Sequence, residues 1–300
     1  MQIEFSMTRF LKILGIFLAP PASAIGIYLA FEKYWALGSQ DAKVGLLILG
    51  FYSGFFLICA IVQEFRYSRK TRFAESQHLI HKVFEKCLEG ASQQINSEKE
   101  INQCSKLICN YLAHAFSLIA GIRCSVCIKV LDSNPAEIVD GRARISVSTL
   151  CRDEASEDRG KSGSGGIVHW LDQNADFLDM FETINKPKGG TYFANNLPGK
   201  YNYINTSFDM YGRKPTDIPI PFIRSVIRNF TWDLPYKSTI GAVIYPSEPS
   251  PSVDKLVGFI CVDSRSLRAF SRRYDIELLR SISGTLYPMM YKWTEVIANN

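Results

Sequence analysis

The chain has 300 residues, 47% of them hydrophobic, and a formal net charge of +5. So mild a charge does not argue for nucleic-acid binding, and no sequence-specific DNA contact is expected. Eight scattered cysteines form no regular frame, which excludes a small secreted disulfide scaffold and reads as reduced thiols of a cytosolic domain.

Two uncharged apolar runs open the sequence, Ile13–Phe31 and Val44–Val62. At 1.5 Å per residue each run of about 19 residues matches a bilayer's hydrocarbon core. The spacing predicts a two-helix transmembrane hairpin over residues 1–68, with helices near 10–31 and 44–65. Arg9 and Lys12 precede the first run, and Arg66, Arg69, Lys70 and Arg72 follow the second. That bias predicts a multi-pass protein of the bacterial inner membrane with both termini cytoplasmic. Ala22-Ser23-Ala24 offers a signal-peptide alternative, but the apolar run continues beyond it through Ile25–Phe31. Ala22 with Gly26, and Gly50 with Gly54, have the small-residue spacing that lets membrane helices approach closely. The sequence leaves open whether that packing is within one hairpin or between chains of a homo-oligomer. Pro20-Pro21 should kink the first helix. Neither run holds an ionisable residue, which speaks against an ion-selective transporter.

Residues 69–96 read as a connecting amphipathic helix continuing from the second run. Ile80, Val83, Phe84, Cys87, Leu88 and Ala91 recur at three-and-four spacing. This face fits either its own domain or a dimeric coiled coil.

A soluble α/β domain (α+β, with a central antiparallel sheet) is expected over 97–300. Ser97 and Glu100 form a capping box, and a helix should run from there to Gly121. Cys124–Leu131, Arg144–Leu150, Thr239–Tyr245 and Leu256–Val262 read as strands. A closing helix should span about Tyr274 to Ile297, with Leu278, Ile282, Leu286, Met290 and Trp293 buried and Pro288 bending it.

The order of helix, strands, variable middle, two strands and closing helix resembles the GAF family of sensor domains. The tail carries most of the likeness: Val257-Gly258-Phe259-Ile260-Cys261-Val262-Asp263, then Phe270-Ser271, then Asp275 and Leu278-Leu279. Gly165-Gly166-Ile167-Val168 followed by Thr191-Tyr192-Phe193-Ala194-Asn195-Asn196 resembles the helix-then-strand beside the family's ligand cavity. The resemblance implies a non-catalytic domain that binds small molecules or partners, and places Tyr192 and Asn195 near the ligand. The family's cyclic-nucleotide signature is not recognisable.

Enzyme motifs are weak. Gly160-Lys161-Ser162 lacks the upstream glycine of a phosphate loop, Ala155 standing there instead. Cys124 and Cys127 on one strand point to opposite faces and cannot share a metal. The four histidines have no triad or metal-motif spacing, so no catalytic residue, metal or cofactor is assigned. A ligand site is instead sketched around Pro221–Phe230. Arg224 and Arg228 lie one turn apart beside an apolar face of Ile223, Val226, Ile227 and Phe230. Arg213, Tyr192, Tyr201, Tyr203, Trp232 and Tyr236 lie near in sequence, with His169 and Trp170 flanking. Arginines with aromatics hold phosphorylated or nucleotide ligands by bidentate hydrogen bonds and stacking. An aromatic core edge with solvated arginines accounts for the same residues and is the simpler reading.

Two layouts follow. In one, the hairpin is itself the effector and perturbs the lipid bilayer on triggering. It resembles two-helix membrane effectors of bacterial anti-phage systems, triggered by a cyclic nucleotide second messenger or by a reverse transcriptase–nucleic acid complex. In the other, the chain is a non-toxic, membrane-tethered receptor subunit that binds a small molecule and signals to a separate partner protein.

Overall fold

A computed structural model of the chain describes residues 40–92, 98–131, 137–139, 142–159, 169–208, 218–246 and 255–298. The chain divides into two units, Met1–Thr71 and Arg72–Asn300. The first contributes the opening turns of helix α1 (Gln40–Ser92). Its aromatic side chains Phe51, Tyr52, Phe55 and Phe56 are exposed.

The expected inner-membrane address and its hairpin are corrected here. Among the described residues no helix is long and apolar enough to cross a membrane. A Cβ at Gly50 or Gly54 would meet nothing within 4 Å. The first apolar run, with Ala22 and Gly26, lies outside the described residues.

The second unit holds the folded core. Helix α2 (Glu98–Ala120) begins beside the predicted capping box, whose Ser97 lies outside the described residues. It ends at Gly121, which adopts φ 71° and donates its N–H to the Ser117 carbonyl at 2.9 Å. Only a residue at ease in the left-handed region closes a helix this way. Strands β1 (Cys124–Leu131), β4 (Ser146–Arg152), β5 (His169–Trp170), β6 (Thr191–Ala194), β7 (Ser238–Ile244) and β8 (Gly258–Ser264) form one sheet, ordered β5-β4-β1-β8-β7-β6. Every neighbouring pair is antiparallel. A separate two-stranded ladder joins β2 (Glu137–Val139) to β3 (Arg142–Arg144). Among the described residues, helices α3 (Ala175–Thr183), α4 (Pro221–Phe230) and α5 (Asp275–Ala298) accompany the sheet.

Alternation along the strands divides the interior into two layers. Val126 and Ile128 of β1, Ile240 and Ala242 of β7, and Ile260 and Val262 of β8 face helices. There they meet Ile108 and Leu112 of α2, Val83 and Cys87 of α1, and Ile282, Leu286 and Trp293 of α5. Fully burying side chains of this size contributes about 1.5–3 kcal/mol each. Of the connecting-helix stripe, Leu88 departs from expectation and is exposed. The opposite layer gathers Phe177 and Met180 of α3, Tyr192, Tyr203, Phe208, Trp232, Val243 and Phe259. This second layer contains the candidate site.

Candidate functional site

Register across the sheet builds the site. Cys127 on β1 stands opposite Arg152 on β4 and Cys261 on β8. Cys261 in turn stands opposite Gly241 on β7, and Gly241 opposite Tyr192 on β6. Two residues along β1, Lys129 pairs with Thr149 and Phe259. Two residues along β8 from Cys261, Asp263 pairs with Ser125 and Thr239. Helix α3 covers this face with Asp176, Phe177 and Met180 buried, and Phe177 stacks on Phe259 at 5.0 Å. Gly241 admits the helix closely, since a Cβ there would lie 2.9 Å from Met180 Sδ.

The result is a group of ionisable side chains in an otherwise apolar layer. Lys129 is only 5% exposed. Its Nζ donates to Thr149 Oγ1 at 3.0 Å and stands 5.5 Å from the Phe177 ring centre. Among the described residues no carboxylate lies within ion-pairing distance of it. Burial pushes its pKa down, Cys127 opposes that shift and Arg152 reinforces it. Burial likewise raises Asp176 to about 6, against hydrogen bonds from its own and the Phe177 backbone. Asp263 is raised by burial too, offset by its hydrogen bond with Thr239 and by Arg159, Arg152 and Lys129. The Cys127 and Cys261 thiols hydrogen-bond to each other. That bond, with Arg152 and Lys129 nearby, brings Cys127 down to about 7 despite its burial. His169 bonds through Nδ1 to Thr206 Oγ1 at 2.7 Å and meets Phe177 edge-on. Burial, then Lys129 and Arg152, keep its imidazole neutral.

Buried charges are costly unless paired, so a core selected for stability alone tends to be apolar at such positions. Strongly perturbed ionisable groups gathered on one face are the physical mark of a functional site. Chemically, this one offers a buried amine, a guanidinium, two carboxyls whose pKa burial raises and a hydrogen-bonded thiol pair. No described group of three or more His, Cys, Asp or Glu residues is placed to hold a metal ion.

The residues singled out from sequence are placed differently. Tyr192 is buried on β6, and its hydroxyl accepts from Lys200 Nζ at 2.9 Å. Asn195 clips Phe270, donating to its carbonyl at 2.6 Å and accepting from its N–H at 3.0 Å. Trp232 packs on Tyr203 and Phe208 and donates its indole N–H to the Tyr236 carbonyl at 2.7 Å. Arg224 and Arg228 are buried, where the apolar face of α4 was expected to be. Arg224 donates to the carbonyls of Ile218 (2.6 Å), Pro219 (2.9 Å) and Gly199 (3.2 Å). Arg228 donates to the carbonyl of Lys200 at 2.7 Å. Tyr192, Arg224 and Arg228 thus converge on the Gly199–Lys200 turn, with the guanidiniums bonded to backbone. Arg213 lies outside the described residues.

Lys129, Arg152, Asp176, Asp263, Cys127 and Cys261 are what the sequence reading missed. A signal was present. Lys129 is the one charge in the apolar strand CSVCIKVL, and strand parity places it on the same face as Cys127.

No family model matches the chain, and no curated protein matches it. Solved structures do. The GAF domain of an Acinetobacter phosphoenolpyruvate-protein phosphotransferase superposes with a TM-score of 0.42 at 10% identity, covering 74% of this chain and 98% of that one. The phycocyanobilin-bound GAF domain from a cyanobacterial phytochrome gives 0.40 at 12% identity, over 74% of this chain and 97% of its own. The chromophore-binding domain of a bacteriophytochrome from R. palustris gives 0.40 at 10% identity over 76% of this chain, which spans 64% of that domain. The described residues of the unit Arg72–Asn300 form an α/β domain built on an antiparallel sheet.

Proposed function

We propose that this GAF-like unit is a sensor that binds a small molecule bearing an anionic group between its sheet and α3, at Lys129 and Arg152. The observation that carries the reading is Lys129, a buried amine whose described partners are one hydroxyl and one aromatic ring. An anion placed beside it would supply the charge partner that burial demands. Asp176, Asp263 and the Cys127–Cys261 pair would read the ligand's polar groups. Tyr192 and His169 border the same layer. Binding would reach α2 and α5 through β1 and β8, whose other face packs on them. The signal then passes to a separate partner protein. A membrane-embedded effector needs spans that the described helices do not supply, and it forms no part of the proposal.

The experiment is a thermal-shift screen of the full chain against a panel of small carboxylates and phosphate esters, repeated with Lys129→Met. The reading expects at least one compound to raise the melting temperature of the wild type and not of the variant. A panel that shifts neither, or shifts both alike, would overturn it.

A further inference from the structure

Helix α4 is turned inside out. Arg224 and Arg228 face the protein, Ser225 accepts from Asn196 Nδ2 at 2.9 Å, and Asn229 accepts from Lys237 Nζ through both its carbonyl and its side chain. The apolar side chains all point outward. Phe222 is 77% and Phe230 84% exposed, with Ile223, Val226 and Ile227 exposed between them. Residues 223, 226, 227 and 230 have the spacing of a single helical stripe.

This orientation is built in. Rotating α4 to bury the stripe would strip guanidinium donors from the carbonyls of Ile218, Pro219, Gly199 and Lys200. Arg224 and Arg228 are themselves buried, and buried guanidiniums that lose their acceptors are penalised. Pro219 and Pro221 restrict the entering backbone further. The stripe is therefore a fixed feature of the folded surface.

With Ile220 on its shoulder, the stripe presents on the order of 600 Å² of apolar surface, taking about 200 Å² per fully exposed large side chain. A contiguous patch of that size on one chain marks an interaction site. We propose that α4 pairs antiparallel with α4 of a second copy of this chain about a two-fold axis. Two such stripes together bury about 1,200 Å², the lower bound of a specific interface. The stripe carries no charge, so a second copy meets no like-charge repulsion. The helix's two cations are committed to backbone carbonyls, which removes the phosphate contacts a nucleic acid would need. A two-fold pairing requires a patch complementary to itself, and a stripe of Phe, Ile and Val side chains satisfies that. Val226 lies at its centre and approaches its own copy across the axis.

The test is cross-linking of the full chain carrying Val226→Cys, with diamide as oxidant and a non-reducing gel as readout. Gln173→Cys, at an exposed position elsewhere, is the control. The pairing predicts covalent dimers for Val226→Cys at several times the control rate. Adding Phe222→Glu and Phe230→Glu should return that rate to the control level, with an unchanged circular dichroism melt reporting the fold. Cross-linking no faster than the control overturns the proposal, as does cross-linking that survives both glutamates. So does a dye attached to the thiol of the Val226→Cys variant that responds to neutral or anionic phospholipid vesicles while no dimer forms, since the stripe would then serve a lipid surface.

Discussion

Cys127 and Cys261 stand directly opposite each other on adjacent antiparallel strands, and their thiols hydrogen-bond while both are buried. One partner donates and the other accepts, so the accepting thiol is the one that ionises first. That is Cys127, brought down to about 7, while Cys261 is pushed up by the same bond and by burial. Thiolate absorbance should rise with a midpoint near pH 7 in the wild type and lose that step in Cys127→Ala. In Cys261→Ala the midpoint should move up, because the donated hydrogen bond is gone. A step that persists in Cys127→Ala would assign the titration to another cysteine.

Asp176 and His169 give opposite pH signatures in overlapping windows. Burial raises the folded pKa of Asp176 to about 6, above the ordinary carboxyl value of 3.8. Above pH 6 the folded chain carries the cost of the buried carboxylate, and as pH falls from 6 towards 4 protonation relieves it. Asp176→Asn should therefore stabilise the protein by about 2 kcal/mol at pH 8, with that advantage vanishing near pH 4. His169 is a base with a depressed pKa. Below pH 6.5 the unfolded chain takes up a proton that the folded chain refuses, so stability falls with pH. His169→Gln should flatten that fall. Urea unfolding from pH 8 to 4 reads both, and a constant offset between Asp176→Asn and wild type across that range would contradict the first.

Arg224 is an anchor of the fold. It donates to three backbone carbonyls at the entry to α4, and its guanidinium lies 4.8 Å from the Tyr201 ring centre. Arg224→Ala should cost about 2–4 kcal/mol, because three backbone carbonyls lose their donor and a buried side chain is removed. Arg224→Lys should recover little, since an ammonium cannot reproduce the planar fork. Denaturant midpoints test this. A silent Arg224→Ala would mean that the carbonyls find water instead.

The regular elements of the second unit were legible in the sequence because local signals and burial agree there. Cys124–Leu131 reads as a strand and lies in the sheet interior, and Gly121 ends α2 with the conformation that its residue type favours. The closing helix shows its stripe directly, since Ile282, Leu286 and Trp293 pack on one core. The site was less legible. Helical periodicity identifies the two faces of α4 but does not say which faces inward, and hydrogen bonds to the Gly199–Lys200 turn reverse the usual order. The Lys129–Cys127–Cys261–Asp263 row is set by the pairing of β1 with β8, segments far apart in the chain, and no local motif encodes that register. The apolar run Val44–Val62 shows the converse. Its composition suggested a bilayer, while among the described residues no helix is long and apolar enough to cross one.

If Lys129 is retained for a ligand and not for stability, removing its amine should cost the fold nothing. Urea unfolding of Lys129→Met without added ligand tests this most directly, because methionine fills a similar volume without the buried charge. The midpoint should equal or exceed that of the wild type, as expected when a buried cation lacking a carboxylate partner is replaced by an apolar side chain. A loss of more than about 2 kcal/mol would show that the amine is a structural element of the core and would contradict the ligand-binding role.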